Sequence, residues 1–193
     1  LDRERLRSEV RTTYTKVAEA PGGDFHFHRG PEYAARQLGY NGDELAALPA
    51  SATASFAGVG NPFLVRQMPA GAVVVDLGSG AGMDCLLAGR RVGAKGRVVG
   101  VDMTDAMLDV ARKSAAQAAM PQVAFEFGEI TDLPLADASV DIVISNAGTA
   151  FEGAIGEIDE ALLRASFELN FFAHQSVAQN AVRLFKQQGT GGV

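Results

Sequence analysis

Between residues 73 and 102 the chain sets an acidic residue, three closely spaced glycines and a second acidic residue in an order that suits a nucleoside ligand. The run Val73-Val74-Val75-Asp76-Leu77-Gly78-Ser79-Gly80-Ala81-Gly82 is β-branched at its start and glycine-rich at its end. Glycines let backbone approach a ligand, and the helix that follows such a turn presents free N–H groups to it. Asp102 stands 20 residues beyond Gly82, where a carboxylate accepts hydrogen bonds from both hydroxyls of a ribose. Glycines that serve only a tight turn are the plainer alternative; strand, helix and distant Asp together favour nucleoside binding. The spacing is Asp-x-Gly-x-Gly-x-Gly, not the Gly-x-Gly-x-x-Gly of dinucleotide sites. A carboxylate at Asp76 repels a pyrophosphate but engages an amino group, directly or through water. S-adenosylmethionine, with an ammonium, a sulfonium and no phosphate, meets that requirement.

These residues need a strand on either side of a helix to hold them. Ala72–Leu77 is expected as a buried strand, Met83–Arg91 as a helix closed by Gly93, and Arg97–Val101 as a second strand. Thr104 is placed to cap a helix whose apolar face carries Met107, Ala111, Ala115 and Ala118. Gln122–Phe127 and Val140–Ser145 complete four strands separated by single connections. That alternation predicts an α/β fold: a Rossmann-like parallel sheet with helices on both faces. Residues 1–20 read as a charged surface helix, with a further helix near Glu32–Leu38 and a turn at Asn61-Pro62. The tail, residues 156–188, has helical periodicity throughout, with a bend or break expected near Asn170.

Residues 73–146 resemble a class I S-adenosylmethionine-dependent methyltransferase. Within that superfamily residues 9–146 are similar to the arsenite methyltransferase group. The similarity is carried by GNPF (60–63), VVVDLGSGAGMDCLLA (73–88), GRVVGVDMTDAML (96–108), GEITDLPL (128–135) and DIVISN (141–146). The resemblance implies that Gly78, Ser79, Gly80 and Gly82 wrap the methionine part of the cofactor and that Asp102 holds the ribose. Met103 then packs on the adenine, with Glu129 and Ile130 at its edge, and Asn146 faces the reacting end. Taken singly, Met103 also reads as core, Glu129 as a solvated acid and Asn146 as a turn-former. The substrate does not carry over. Arsenic-methylating members hold the metalloid with cysteine thiolates, a soft-ligand chemistry that carboxylates and hydroxyls do not replace. At the family's cysteine positions this chain has Val59 and Ala147, while Cys85 lies in the helix after the glycine loop, as a small packing residue. The implied acceptor is a small molecule other than arsenite, and no residue is singled out as catalytic; the alternatives are a chimeric chain that binds the nucleoside cofactor without catalysis and, behind it, an NAD(P)-binding reductase-like protein. In-line methyl transfer relies on positioning in a water-poor pocket, so no general base need be visible.

After Asn146 the pattern changes. Residues 145–193 look like the middle of a short-chain dehydrogenase/reductase, through Asn146-Ala147-Gly148, Asn170 in the long helix and Gly191-Gly192-Val193. The chain lacks the family's upstream glycine loop and its Tyr-x-x-x-Lys, since all three tyrosines (Tyr14, Tyr33 and Tyr40) are N-terminal. Hydride transfer needs that tyrosine acid. Asn170 reads as a helix-bend residue without catalytic duty. The expectation is a mosaic: residues 1–69 as a helical lid, 70–146 as the cofactor half, and 147–193 as a reductase-like segment completing the same domain. The further strands of either family are not present before Val193, so the fourth strand is expected to leave an edge that a homodimer covers.

Composition excludes other classes. With 17 basic and 23 acidic residues among 193, the net charge is −6 and no Lys/Arg run is dense enough for a nucleic-acid backbone or an anionic membrane. One cysteine excludes an internal disulfide framework and a cysteine-cluster metal site. No apolar stretch reaches the length of a membrane span, and the start lacks a signal-peptide core; a cytoplasmic protein is expected. His26 and His28, with Asp24 and Glu32, lack a third ligand at a telling distance, so no metal is expected. Ser79 and Ser145 have no His/Asp partners placed by the sequence for a hydrolase triad.

Overall fold

The computed structural model describes residues 3–25, 27–130, 133–136, 139–146 and 174–189. Four strands form one parallel sheet: β1 (Val73–Leu77), β2 (Arg97–Asp102), β3 (Val123–Phe127) and β4 (Ile142–Ser145), in the order β3-β2-β1-β4. β1 lies between two neighbours and is buried from Val74 to Leu77, which explains its unbroken β-branched run in place of an alternating one. Registers pair Asp76 with Gly100 on one side and Ile144 on the other. The chain turns from β1 to β2 on one side and later returns to β4 on the other. The carboxyl ends of β1 and β4 therefore flank a topological switch point, where α/β sheets open a crevice.

α5 (Met83–Val92) and α6 (Asp105–Gln117) cover one face of the sheet. Their Leu86, Leu87, Leu108 and Ala111 pack with Val74, Val98, Val123 and Phe125. The opposite face, Val75, Leu77, Val99 and Val101, is met by Ile130, Leu135, Val140 and Val177 of α7 (His174–Gln188). Ser145 Oγ lies 2.6 Å from His174 Nδ1 and ties α7 to β4.

The N-terminal region packs on this layer. α1 (Arg3–Glu19) lies against α6, and its fully buried Val17 packs with Ala81 of the glycine turn, Met107 and the side chains of Phe25 and Phe27. α2 (Gly30–Leu38), α3 (Gly42–Ala46) and α4 (Ala50–Ala54) follow, with α4 also against α6. Asn41 caps α3 by accepting from the Asp43 and Glu44 amides, and Asn61 does the same for the short 3-10 turn Pro62–Leu64.

The expected strands, and the helices expected before residue 130, are present with ends moved by a residue or two. Thr104 stands at the N-cap of α6, but its side chain does not cap the helix; its amide and hydroxyl both turn to Asp102, whose carboxylate outcompetes the helix end. Helix α7 falls within the expected tail helix, whereas the bend near Asn170, Ala147 and Gly148 lie outside the described residues.

Candidate functional site

The glycine turn is built by hydrogen bonds to the end of β2. The Gly78 and Ser79 amides donate to the Val101 carbonyl, and the Gly80 amide donates to Asp102 Oδ2 at 2.9 Å. Gly78, Gly80 and Gly82 have φ values of +75°, +52° and +88°, which L side chains rarely adopt. A Cβ at Gly80 would meet nothing within 4 Å, so the turn presents an open cradle there. A Cβ at Gly82 would lie 2.6 Å from Phe125 Cζ.

Above the turn is a cavity of about 260 Å³. Asp76, Gly78, Ser79 and Gly80 line it from the turn, Asp102 and Met103 from the end of β2, Glu129 and Ile130 from beyond β3, and Asn146 from the end of β4. Gly82 is not among its lining residues. Its missing side chain admits Phe125 and Ala111 instead, so its place is in the core beneath the turn.

The remaining wall comes from residues to which the sequence assigned no role. α1 contributes Arg7 and Tyr14, and the stretch after α4 contributes Ser55, Phe56 and Gly58. Arg7 forms an ion pair with Glu129 at 2.7 Å, joining α1 to the loop beyond β3. Asp84, in the first turn of α5, also lines the cavity and is only 5% exposed. Tyr40 donates to Asp84 Oδ1 at 2.8 Å, and Asn146 Nδ2 lies 3.3 Å from Asp84 Oδ2. The same Tyr40 hydroxyl is 3.1 Å from the Gly60 carbonyl oxygen, to which Asn146 also donates at 2.9 Å. A local signal for this network is absent from the sequence, because Tyr40 and Asn146 lie 44 and 62 residues from Asp84.

Three carboxylates therefore share one cavity, Asp76 and Asp84 buried and Asp102 half-buried. Burial raises Asp76 well above the usual carboxylate range and the nearby Asp84 adds to this, while the Cys85 thiol, donating at 3.3 Å, works against it. Burial lifts Asp84 to about 6 against the hydrogen bonds from Tyr40 and Asn146 and the field of Arg91. Asp102 is raised by burial and held back by the Gly80 and Thr104 amides. Tyr14 is pushed up to about 12 by burial and then by the Asp102 charge. Cys85 is fully buried, its thiol raised by burial and by Asp76, so it does not present a thiolate to the cavity. Among the described residues the one lysine or arginine on the lining is Arg7, already paired with Glu129. Such a site is electrostatically complementary to a cation.

Of the residues weighed for a metal, His26 lies outside the described residues and His28 stacks on Tyr33 at 5.6 Å. Ser145 does have a histidine neighbour, His174, which the sequence did not place beside it. Among the described residues no helix is long and apolar enough to cross a membrane.

A family described as a methyltransferase domain matches residues 69–191, more than half of the chain. The chain belongs to this methyltransferase domain family. It is similar to the arsenite methyltransferase of Halobacterium salinarum, 47% identical over 110 residues that make up 57% of this chain and 28% of that protein. It is also similar to the arsenite methyltransferase of Mus musculus, 43% identical over 84 residues, or 38% of this chain and 22% of that one. Among solved structures, the arsenic(III) S-adenosylmethionine methyltransferase of Chlamydomonas reinhardtii is 39% identical, covering 54% of this chain and 37% of its own, with a TM-score of 0.46. The chain spans less than a third of the length of either curated relative. The methyltransferase domain match also runs across the junction expected at residues 145–147 and on to residue 191, through the tail that the sequence alone likened to a reductase.

Proposed function

We propose that the cavity binds S-adenosylmethionine and that the chain is a methyltransferase acting on a small-molecule acceptor. The observation that carries this reading is the acidic cavity at the switch point, with the glycine turn closed onto Asp102. The residues fit the group. Gly80 leaves its cradle free of a side chain, and Asp76 is a buried carboxylate whose charge an ammonium would offset. When bound, S-adenosylmethionine supplies an electrophilic methyl group on a positively charged sulfur.

In this reading Gly78, Ser79 and Gly80 run along the methionine part and Asp76 receives its ammonium. Asp102 accepts from the ribose hydroxyls, which displace the Thr104 hydroxyl from its carboxylate. Met103 packs on the adenine, Glu129 and Ile130 stand at its edge, and Asn146 faces the reacting end. Gly82 contributes indirectly, by letting Phe125 brace the turn. The acceptor is not arsenite: Val59 is an exposed apolar residue at one family cysteine position, and the one cysteine is buried against Asp76.

Residues 1–69 act as a lid in this scheme, 70–146 as the cofactor half, and 147–193 complete the domain. A cytoplasmic setting and a homodimer that covers β4, one edge of the described sheet, belong to the same proposal. So does a reductase-like origin of residues 145–193.

Calorimetric titration with S-adenosylmethionine, S-adenosylhomocysteine and NAD(H) in parallel tests the reading. Binding of the first two alone is expected. NAD(H) binding alone would favour the reductase reading, and silence from all three would overturn cofactor binding. Asp102→Ala is expected to weaken S-adenosylhomocysteine by about 10- to 100-fold, the scale of hydrogen bonds to a charged acceptor; unchanged affinity would remove the ribose assignment.

A further inference from the structure

The proposed donor engages Asp76 and Asp102, which leaves the third carboxylate of the cavity without a role. Asp84 is held from two directions. Tyr40 reaches it from the α2–α3 connection, Asn146 from the end of β4, and both of these also grip the Gly60 carbonyl of the rim. Both of its hydrogen-bond donors are uncharged. The positive group that acts on it, Arg91, has its own guanidinium paired with Glu44 at 2.9 Å. Each Asp84 oxygen keeps a lone pair after these bonds.

A buried carboxylate with only neutral donors is a charge in search of a counter-charge. A second observation comes from the wall of the same cavity. Ser55 lines the cavity, is 6% exposed, and its hydroxyl has no hydrogen-bond partner among the described residues. A buried hydroxyl left unsatisfied is unfavourable unless a bound molecule completes it. An ammonium carries three donors and no acceptor, enough for both a carboxylate and a hydroxyl. An anionic acceptor would add a further negative charge to Asp76, Asp84 and Asp102. A thiol-bound metalloid would need cysteine, and Cys85 is turned away into the core against Asp76.

We propose that Asp84 and the Ser55 hydroxyl form an acceptor subsite that takes a small alkylamine, bound as its ammonium ion and methylated on nitrogen. This rests on the reading of the cavity as a methyl-donor site. Asp84 takes one proton from the bound ammonium. The nitrogen lone pair then forms the new N–C bond as the S–C bond of the donor breaks, the electron pair of that bond stays on sulfur, and the proton leaves Asp84 for solvent. Burial makes Asp84 a better proton acceptor than an ordinary aspartate.

The test separates the donor site from the acceptor subsite. S-adenosylhomocysteine is titrated first into the 193-residue chain and into Asp84→Asn and Ser55→Ala, with tight binding expected in all three. Propylamine, propanol, propanethiol and propionate, equal in size and different in chemistry, are then titrated into the product-loaded proteins. Propylamine is expected to bind at least tenfold tighter than the others at pH 7.5. That preference should fall at least tenfold in Asp84→Asn and several-fold in Ser55→Ala. It should also fall at pH 5, where Asp84 is protonated while facing Tyr40, Asn146, Asp76 and Arg91. With methyl-labelled S-adenosylmethionine, label should appear on the propylamine nitrogen. Equal propylamine binding in Asp84→Asn and the parent chain, or preference for the thiol or the carboxylate, would overturn the subsite while leaving the donor site standing. Failure of S-adenosylhomocysteine to bind the parent chain would overturn both.

Discussion

Asp84 and Gly82 stand two residues apart and show how much one position decides. Asp84 is held by neutral donors, so its folded-state value near 6 lies above the ordinary 3.8. The folded chain thus binds its proton more tightly than the unfolded chain does. Its contribution to stability is fully present below about pH 4 and is lost as pH rises through 6. Moving a carboxyl from 3.8 to about 6 corresponds to about 3 kcal/mol. Asp84→Asn keeps an acceptor for Tyr40 and removes the charge. The ligand-free variant is therefore expected to match the parent near pH 3.5 and to exceed it in denaturant stability at pH 7.5, whereas a constant difference across that range would show that the charge is not buried as described. At Gly82 the argument is steric. Gly82→Ala places a Cβ 2.6 Å from Phe125 Cζ at a φ of +88°, and a loss of about 2–4 kcal/mol is expected in urea unfolding. Gly80→Ala, with open space around its Cβ, should lose less stability and more cofactor affinity. The glycine spacing made the turn legible in the sequence. It did not say which glycine faces the ligand and which faces the core, because that depends on Phe125, 43 residues away.

At the level of elements, β1, α5, β2, α6 and β3 were legible because each announces itself locally, by a β-branched run, a helical stripe or a bounding glycine. The far wall of the cavity was not. Tyr14 and Ser55 reach the cavity because α1 and α4 both dock on α6, and docking of that kind leaves no mark on the spacing of any one segment. The aromatic cluster at Phe25 and Phe27 belongs to the same docking: both rings pack around Val17, and Tyr14 stacks on Phe27 at 6.0 Å. Arg7 and Glu129 then join α1 to the loop beyond β3. Both side chains are about one-third exposed, so solvent screening limits this pair to about 1 kcal/mol or less. Removing it should loosen the lid without unfolding the chain. Arg7→Ala is expected to raise the dissociation rate of S-adenosylhomocysteine a few-fold in stopped-flow measurements. High salt should raise the parent's rate in the same way and leave the variant's nearly unchanged. A variant that stays as salt-sensitive as the parent would show that the pair does not hold the lid.

The whole molecule collects buried negative charge at the one place where its sheet topology opens a crevice. β1 delivers Asp76, β2 delivers Asp102 and α5 delivers Asp84 to a single cavity, and burial raises all three above the ordinary carboxylate range. Asp84, lifted to about 6, is largely protonated at pH 5 and largely charged at pH 7.5, so the cavity gains negative charge across that range. A cation therefore gains more from binding at pH 7.5 than at pH 5, while a ligand without that charge gains less from the same change. S-adenosylmethionine and S-adenosylhomocysteine differ by one methyl group and one positive charge on sulfur, which makes them a matched pair for this property. Each should raise the unfolding temperature, and a ligand at 100 times its Kd adds about 2.7 kcal/mol. The advantage of the sulfonium compound over the thioether is expected to grow by several-fold in affinity between pH 5 and pH 7.5, read from thermal shifts at matched concentrations. A ratio that stays flat across that range would mean that the three carboxylates do not sense the sulfur position, and the acidic cavity would then lose its place as the reason for choosing a sulfonium donor.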